Sequence, residues 1–454
     1  MPATSSVYQQ PNPLLKTSFP LLQLFLIAIF SAFMEVIPGI GKIRPQLILA
    51  TLGLLAVFGT GQFMKVLSSR TGMCITAFTA WFLACIPFGA WPGGSFHILI
   101  EQWYKAALIF FLTAGLLTTL TQANRLFKTI ALSTGALGLL ALVKNQREAD
   151  GRLMLDNTRY ANSNDLAWTL LVGLTFVGYL YLRGTRLQKV VAILIALPML
   201  LAISRTGSRA GAMGAVLLFF MMVFQSKRST RQRILVVSPV LFLGILLLMP
   251  RQMRLRYTTF FGTYSTYNQS QEEKLRVGTI ESTEMRKQLL YDSLNITAHH
   301  PLLGVGPGNF VVAQNELSTA RGDVKGFWHV THNTYTQLSS EMGLPGLAVY
   351  VAMLYYVFRT LNSIIRNKSR SRPWQDLRAL AISLRTAFYL LLPIAFFDSL
   401  AYNTDVPILA GLATALGFMA EKQRVIDRME AAKAKVEALT PADVPLEPVA
   451  IGTY

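Results

Sequence analysis

Two histidines and two carboxylates in one stretch of the chain are the first residues that could do chemistry. His329 and His332 are three residues apart, which on a helix would place both rings on one face. A histidine with a pKa near neutrality can accept the proton of a hydroxyl group, so the pair could supply a general base. A metal site would need further ligands, and although Asp323 and Glu341 are available, nothing in the sequence fixes them nearby. The pattern favours a polar or catalytic pair, and we predict neither a metal nor another cofactor.

A second candidate is the run Ser204–Arg209, which opens an apolar stretch and carries Arg205 and Arg209. Arginine is costly in hydrocarbon, roughly 2.5–3.5 kcal/mol at mid-membrane. The two side chains could therefore snorkel to the membrane interface. Alternatively, Arg209 could face an anionic head group, because a guanidinium fork matches phosphate oxygens bidentately. Taken alone, the run leaves both interpretations open.

The string from His332 to Gly346, HNTYTQLSSEMGLPG, is more specific. It fits the pattern His-Asn, nine residues, Gly, two residues, Gly without gaps, and so resembles the O-antigen ligase and polymerase family of bacterial envelope glycosyltransferases. Four other stretches resemble the same family in order and spacing, so that the likeness covers roughly residues 160–350. They are the Asn162–Ala167 entry to an apolar run (with Ser163 where the family has Pro), the Thr-Gly-Ser-Arg that ends at Arg209, the Arg-x-x-x-Leu at Arg286–Leu290, and His300–Phe310.

The resemblance implies a membrane glycosyltransferase of the GT-C type, which takes a glycan from a polyprenyl diphosphate and needs no metal or soluble nucleotide sugar. It implies that Arg209 and Arg286 bind the donor diphosphate. His332 would activate the acceptor hydroxyl or orient the donor, with support from His329, Asn333 and Glu341. The chemistry agrees, because the leaving diphosphate gains negative charge that fixed cations in a partly dry cleft stabilise.

The family likeness leaves two activities open. A ligase would transfer a finished glycan to a lipid or protein acceptor, and a polymerase would extend a glycan held on a second carrier. Both need the same donor site, so the sequence does not separate them. A transporter is the alternative without catalysis, but we find no inverted repeat and no mid-span acid besides Asp398, which lies near the end of a span.

The elements that position these residues are membrane helices. Of 454 residues, 52% are hydrophobic and only 14% are charged, whereas a soluble chain carries roughly a quarter charged residues. The apolar residues form long runs such as Phe19–Phe33, Leu166–Leu182 and Ile234–Met249. A membrane span needs roughly 17–25 such residues. We therefore predict an all-α integral membrane protein, a polytopic GT-C-like bundle of about 12 transmembrane helices with one large, partly helical extracytoplasmic loop.

The charges between the runs predict the orientation. With the N-terminus in the cytoplasm, the inside connections carry 24 of the 42 Lys and Arg residues, while the short outside loops carry nine and the long connection nine. The positive-inside rule favours this arrangement, which places all five histidines on the periplasmic side of a bacterial inner membrane. The net charge of +19 is then mostly a topology signal. The expected surroundings are membrane lipids, and nucleic acid is not an expected partner.

The chain divides into an N-terminal bundle of about nine spans (1–250), the extracytoplasmic loop (251–343), a C-terminal bundle of about three spans (344–420) and a cytoplasmic charged helix with a disordered tail (421–454). In the loop, Tyr257–Gln271 looks irregular, and four-residue spacings such as Met285/Leu289 predict a helix over Glu281–Ala298. A second helix is predicted to begin near His329–Asn333 and to run toward Gly343.

Overall fold

The computed structural model describes residues 7–8, 12–37, 39–258, 269–322 and 326–439. Within these residues the strands form one antiparallel pair of two residues each, β1 (Gln146–Arg147) and β2 (Leu153–Met154), and most of the other residues are helical. The predicted disordered tail from Pro441 and most of the predicted irregular stretch Tyr257–Gln271 lie outside the described residues. The helices are α1 (Pro13–Ser31), α2 (Phe33–Val36), α3 (Pro45–Gly59), α4 (Gln62–Leu67), α5 (Arg70–Cys85), α6 (Pro92–Ile98), α7 (Tyr104–Leu116), α8 (Leu120–Lys144), α9 (Ser163–Arg183), α10 (Arg186–Arg205), α11 (Arg209–Gln225), α12 (Arg228–Leu248), α13 (Arg251–Thr258), α14 (Gln269–His299), α15 (Phe310–Ala320), α16 (Thr334–Ile365), α17 (Arg372–Ile394) and α18 (Asp405–Leu439).

Nine candidate membrane spans lie in the described part of the chain, each long and apolar enough to cross a bilayer. They are α1, α5 with the 3₁₀ turn after it, α6 joined to α7 through a π-helical turn, α8, α9, α10, α12, α16 and α17. The helices α3 and α11 are apolar but shorter. The prediction of an all-α polytopic membrane protein is confirmed. The count of about twelve spans and the likeness to GT-C enzymes stay predictions.

Small residues let the central helices pack closely. A Cβ atom at Gly173 of α9 would lie 2.5 Å from Cβ of Thr134 on α8, and one at Gly138 of α8 would lie 3.0 Å from Cγ of Met199 on α10. Membrane helices associate through such close contacts, because lipid offers no hydrophobic drive between them. The helix α9 is accordingly buried on most sides, whereas α12 buries none of its residues and lies at the edge of the bundle.

The helix α16 explains the spacing of the His-Asn…Gly motif. Asn333 caps its N-terminus by accepting hydrogen bonds from the backbone N–H groups of Tyr335 (3.0 Å) and Thr336 (3.2 Å). Gly343 interrupts the helix with φ 68° and ψ −178°, and a Cβ atom there would lie 2.0 Å from the carbonyl oxygen of Leu302. Only glycine fits this position without strain. The helix begins one residue after the predicted start, so His329 and His332 are not on a helix face, and it continues past Gly343.

The segment between α13 and α16 is more helical than predicted. The helix α14 extends well before the predicted Glu281, and α15 was not predicted at all. Met285 and Leu289 pack with Val305, Phe310 and Ala313 in a small hydrophobic cluster of its own. This cluster joins α14 and α15 into one unit beside the membrane bundle.

The turn before α15 is fixed to α16 by Glu341. Its buried carboxylate accepts hydrogen bonds from the backbone N–H of Gly308 (2.9 Å) and the hydroxyl of Tyr402 (2.7 Å), and its carbonyl oxygen accepts from Gly306 (2.9 Å). Gly306 and Gly308 both have positive φ. Glu341 therefore holds the unit of α14 and α15 against the bundle.

Candidate active site

Four arginines from four separate elements line one pocket. Arg152 lies in the turn between β1 and β2, Arg209 begins α11, Arg256 is on α13 and Arg286 is on α14. The other lining residues are Asn164, Trp168, Gly207, Ser208, Ala210, Gly211, Ile394, Phe397 and Asp398. The structure thus brings together the two arginines that the sequence predicts for the donor site, and it adds two that the sequence analysis missed.

The Thr-Gly-Ser-Arg run builds one wall of this pocket. Ser208 caps α11 by accepting a hydrogen bond from the backbone N–H of Gly211 (3.1 Å), so the first turn of the helix faces the pocket. Gly207 has φ 59°, and a Cβ atom there would lie 2.8 Å from Sδ of Met253 and 3.0 Å from Cδ of Arg256. Glycine therefore permits the close approach of α13. The positive end of the α11 dipole adds to the arginine charges and favours an anion.

Arg152 and Arg256 are positioned by hydrogen bonds. Arg152 is buried and donates to the carbonyl oxygen of Thr206 (2.9 Å) and to Oδ1 of Asn164 (2.7 Å). Arg256 donates to Oδ2 of Asp150 (2.9 Å). The resemblance of Asn162–Ala167 to a family motif was the only sequence signal near Arg152, and it marked Asn164 without indicating its partner.

Arg286 is half-buried, and its Nε is buried without a hydrogen-bond partner in the described part of the chain. Burial lowers its pKa, Asp398 acts in the opposite direction, and Arg256 lowers the pKa further. Burial also raises the pKa of Asp398, against the backbone hydrogen bond from Ser399 and the charge of Arg286. A buried donor without a partner among like charges is a position where an anionic ligand fits.

His332 does not line this pocket, although the charge of Arg286, which does, acts on it. Its backbone has φ 50° in the short irregular segment before α16, and its ring is half-buried. Burial lowers the pKa of His332 to about 4, and the charges of Arg286 and His329 act in the same direction. The pKa of His332 is therefore lower than the near-neutral value considered from the sequence. A neutral ring at pH 7 can accept a proton but gives no positive charge to a phosphate.

The supporting residues are spread out. His329 is exposed, with its ring centroid 6.2 Å from that of His332. Asn333 caps α16 and Glu341 anchors the turn before α15, so both act through the backbone of the segment around His332. Among the described residues, no group of three or more His, Cys, Asp and Glu side chains could hold a metal ion. The roles predicted for these residues remain predictions.

The fold and the pocket describe a polytopic membrane protein with a cationic site at the ends of several of its helices. Residues 191–351 match a family model described as O-antigen ligase, about a third of the chain, and they include Arg209, Arg256, Arg286 and His332. The resemblance seen in the motifs is therefore confirmed over these residues. No curated protein sequence matches the chain.

Proposed function

We propose that the protein transfers a glycan from a polyprenyl diphosphate to an acceptor hydroxyl at the periplasmic face of the bacterial inner membrane, in the manner of an O-antigen ligase. The observation that carries the proposal is the convergence of four arginines on one pocket, with the Nε atom of Arg286 left without a partner in the described chain. Among the described residues that line this pocket, Asp398 is the one carboxylate. The net positive charge suits a diphosphate.

The charge of the pocket also supports catalysis. When the bond between glycan and diphosphate breaks, the leaving group gains a negative charge. Preorganised cations in a partly buried site stabilise that charge without reorganising, which lowers the barrier. Arg209 and Arg286 would contact the diphosphate, and Arg152 and Arg256 complete the ring of charge around it.

His332 is the best placed general base. It is neutral at pH 7, it lies beside Arg286, and it is outside the pocket that would hold the diphosphate. An acceptor hydroxyl that approaches from its side would lose its proton to the imidazole as the oxygen attacks the sugar carbon. A pKa of about 4 makes it a weak base in the absence of donor. A bound diphosphate would raise that pKa, because negative charge nearby favours the protonated ring.

The test uses purified protein in liposomes with a labelled glycan on polyprenyl diphosphate. Three acceptors are offered separately: a lipid-anchored glycan, a protein, and a second molecule of the donor. We expect the label to move to the lipid-anchored glycan with release of polyprenyl diphosphate. Movement to the second donor molecule would make the protein a polymerase. Movement of donor across the bilayer without bond cleavage would refute the proposal in favour of a transporter.

A further inference from the structure

Within the described residues, the hydrogen bonds that hold the segment carrying both histidines lie at its two ends. Between Gly326 and Thr331 the side chains of Phe327, Trp328 and Val330 are exposed. Trp328 has φ 56° and His332 has φ 50°, a left-handed backbone conformation that is unfavourable for side chains other than glycine. Such conformations persist only when the surrounding structure fixes them. The position of the histidines therefore depends on the hydrogen bonds at each end of the segment.

The end next to α16 is tied to the loop after α17. Thr331 Oγ1 lies 3.1 Å from Ser399 Oγ, and the backbone N–H of Thr334 donates to the carbonyl oxygen of Ala395 (2.7 Å). The other end is tied to α15. The backbone N–H of Phe327 donates to Oε1 of Gln314 at 3.0 Å.

A buried carboxylate sets the orientation of Gln314. Its Nε2 donates to Oδ2 of Asp292 (3.1 Å) and to Oγ of Ser318 (2.9 Å), so its oxygen is left to face Phe327. Asp292 and Gln314 are 1% and 0% exposed. An amide that turned over would present a carbonyl oxygen to a carboxylate, which is unfavourable.

Asp292 is fully satisfied in this position. Arg321 binds it bidentately at 2.7 and 3.0 Å, and Gln288 donates to it at 2.9 Å. Buried ion pairs are weak contributors to stability, since the desolvation cost can exceed the Coulombic gain. A carboxylate buried with this many partners is better explained by the geometry that it imposes.

We infer that Asp292 is a positioning residue, which acts through Gln314 to fix the segment of His332 beside Arg286. The inference rests on the proposed function, in which His332 accepts the proton of the acceptor. Asp292 and Arg286 are both on α14, so the same helix that presents a cation to the donor also sets the place of the base. The position of His332 relative to Arg286 then does not depend on the exposed side chains of the segment between Gly326 and Thr331.

The test compares Asp292→Asn with Glu316→Gln. Glu316 is exposed on α15, so its substitution removes the same charge without touching the network. We expect Asp292→Asn to lower kcat by up to about 100-fold, since a displacement near 1 Å can cost that much, with donor affinity within about twofold of wild type. Glu316→Gln should match wild type in both. Loss of donor affinity equal to the loss of kcat in Asp292→Asn would overturn the inference.

The pH profile gives a readout that a merely structural role would not move. Arg286 on α14 and His329 on the segment act on His332, and Asp398 on the loop after α17 faces Arg286. A loosened segment would expose His332 to water, so the acidic limb of kcat/KM should move to higher pH in Asp292→Asn. An acidic limb that stays in place would contradict the inference.

A second substitution at Gln314 should restore the hydrogen bond lost in Asp292→Asn, and it tests the role of Gln314 even if Asp292→Asn is unstable. In Asp292→Asn with Gln314→Glu, the new amide donates to the new carboxylate, whose second oxygen still accepts from Phe327. This double variant should recover part of kcat, and failure to recover any would count against the role of Gln314. Hydrogen exchange of residues 326–333 should be faster in Asp292→Asn and near wild type in the double variant. Hydrogen exchange can be measured without transfer activity, so the two ideas fail separately. A wild-type protein that transfers no glycan refutes the proposed function. Hydrogen exchange of residues 326–333 that is unchanged in Asp292→Asn refutes the positioning role of Asp292.

Discussion

Replacement of Arg286 by alanine removes one of the four cations that line the pocket. Arg286 is half-buried among three other arginines, with its Nε lacking a partner within the described residues. Burial and Arg256 both lower its pKa, and Asp398 offsets them in part. Because the side chain has a repulsive neighbour and an unsatisfied donor, its removal should not destabilise the protein in the absence of donor. The melting temperature of Arg286→Ala should equal that of wild type.

The effect on donor binding follows from the hydrogen bonds that would be lost. A hydrogen bond to a charged group contributes about 1.5–3 kcal/mol, which corresponds to about 10- to 150-fold in affinity. Arg286→Lys should lose less, because an ammonium keeps the charge but cannot span two phosphate oxygens. Arg209→Ala should show a loss of the same order. Transfer by either alanine variant should be strongly reduced at a donor concentration near the wild-type Kd, because less donor is bound and a cation that stabilises the leaving diphosphate is lost.

The assay is equilibrium binding of a fluorescent polyprenyl diphosphate to purified protein in detergent micelles. Arg254→Ala is the matched control, because Arg254 is exposed on α13 and does not line the pocket, yet its loss removes the same charge. Binding by Arg254→Ala should stay within about twofold of wild type at moderate salt, where exposed charges are screened. Equal losses in Arg286→Ala and Arg254→Ala would refute the pocket in favour of a general surface charge effect.

Three further outcomes are expected. In a chain whose Cys74 and Cys85 are replaced by alanine, an impermeant thiol reagent should label Glu316→Cys in intact cells and Ser369→Cys only after permeabilisation; the reverse would invert the orientation. The kcat/KM of wild type should fall as pH drops toward the free-enzyme pKa of His332, about 4, because a protonated ring cannot accept a proton. A rise in kcat/KM on acidification would instead make protonated His332 a phosphate ligand. Gly343→Ala should destabilise the protein by at least roughly 1–3 kcal/mol, since its Cβ would lie 2.0 Å from the Leu302 oxygen. Gly178→Ala, whose Cβ would have no atom within 4 Å, should be neutral or slightly stabilising. Equal melting temperatures of the two variants would refute the predicted steric clash at Gly343.

Hydrophobic runs and one motif carried most of what the sequence could predict. Long apolar runs identify membrane helices, because only helices and closed β-barrels satisfy their backbone hydrogen bonds inside the bilayer, and barrel strands alternate between polar and apolar residues. The His-Asn…Gly spacing identified the family, and the structure shows why part of it is needed: Asn333 caps α16 and Gly343 turns the chain. A helix cap and a sharp turn each need a particular residue type at a fixed position, so both can be recognised from the sequence.

The features of the site and fold that the sequence does not predict depend on tertiary contacts. Arg152 and Arg256 enter the pocket because hydrogen bonds to Asn164, Thr206 and Asp150 hold them there. These partners are 12, 54 and 106 residues away in sequence from the arginine that each one binds. The depressed pKa of His332 arises from burial and from Arg286, 46 residues earlier in the chain by their residue numbers. The helix α15 has a short, mixed pattern, and its apolar residues face a small cluster that exists only once α14 has folded beside it.

The role of His332 as general base is tested by separating donor binding from turnover in His332→Ala. Purified protein is mixed with a glycan on polyprenyl diphosphate and with the acceptor, in the presence of a metal chelator. The release of polyprenyl diphosphate is then measured alongside donor affinity. We predict that wild type releases the carrier with chelator present, and that His332→Ala keeps wild-type donor affinity but turns over about 10²–10⁴-fold more slowly, as expected for a lost general base. Wild-type turnover by His332→Ala, or wild-type activity that the chelator abolishes and zinc restores, would contradict the account.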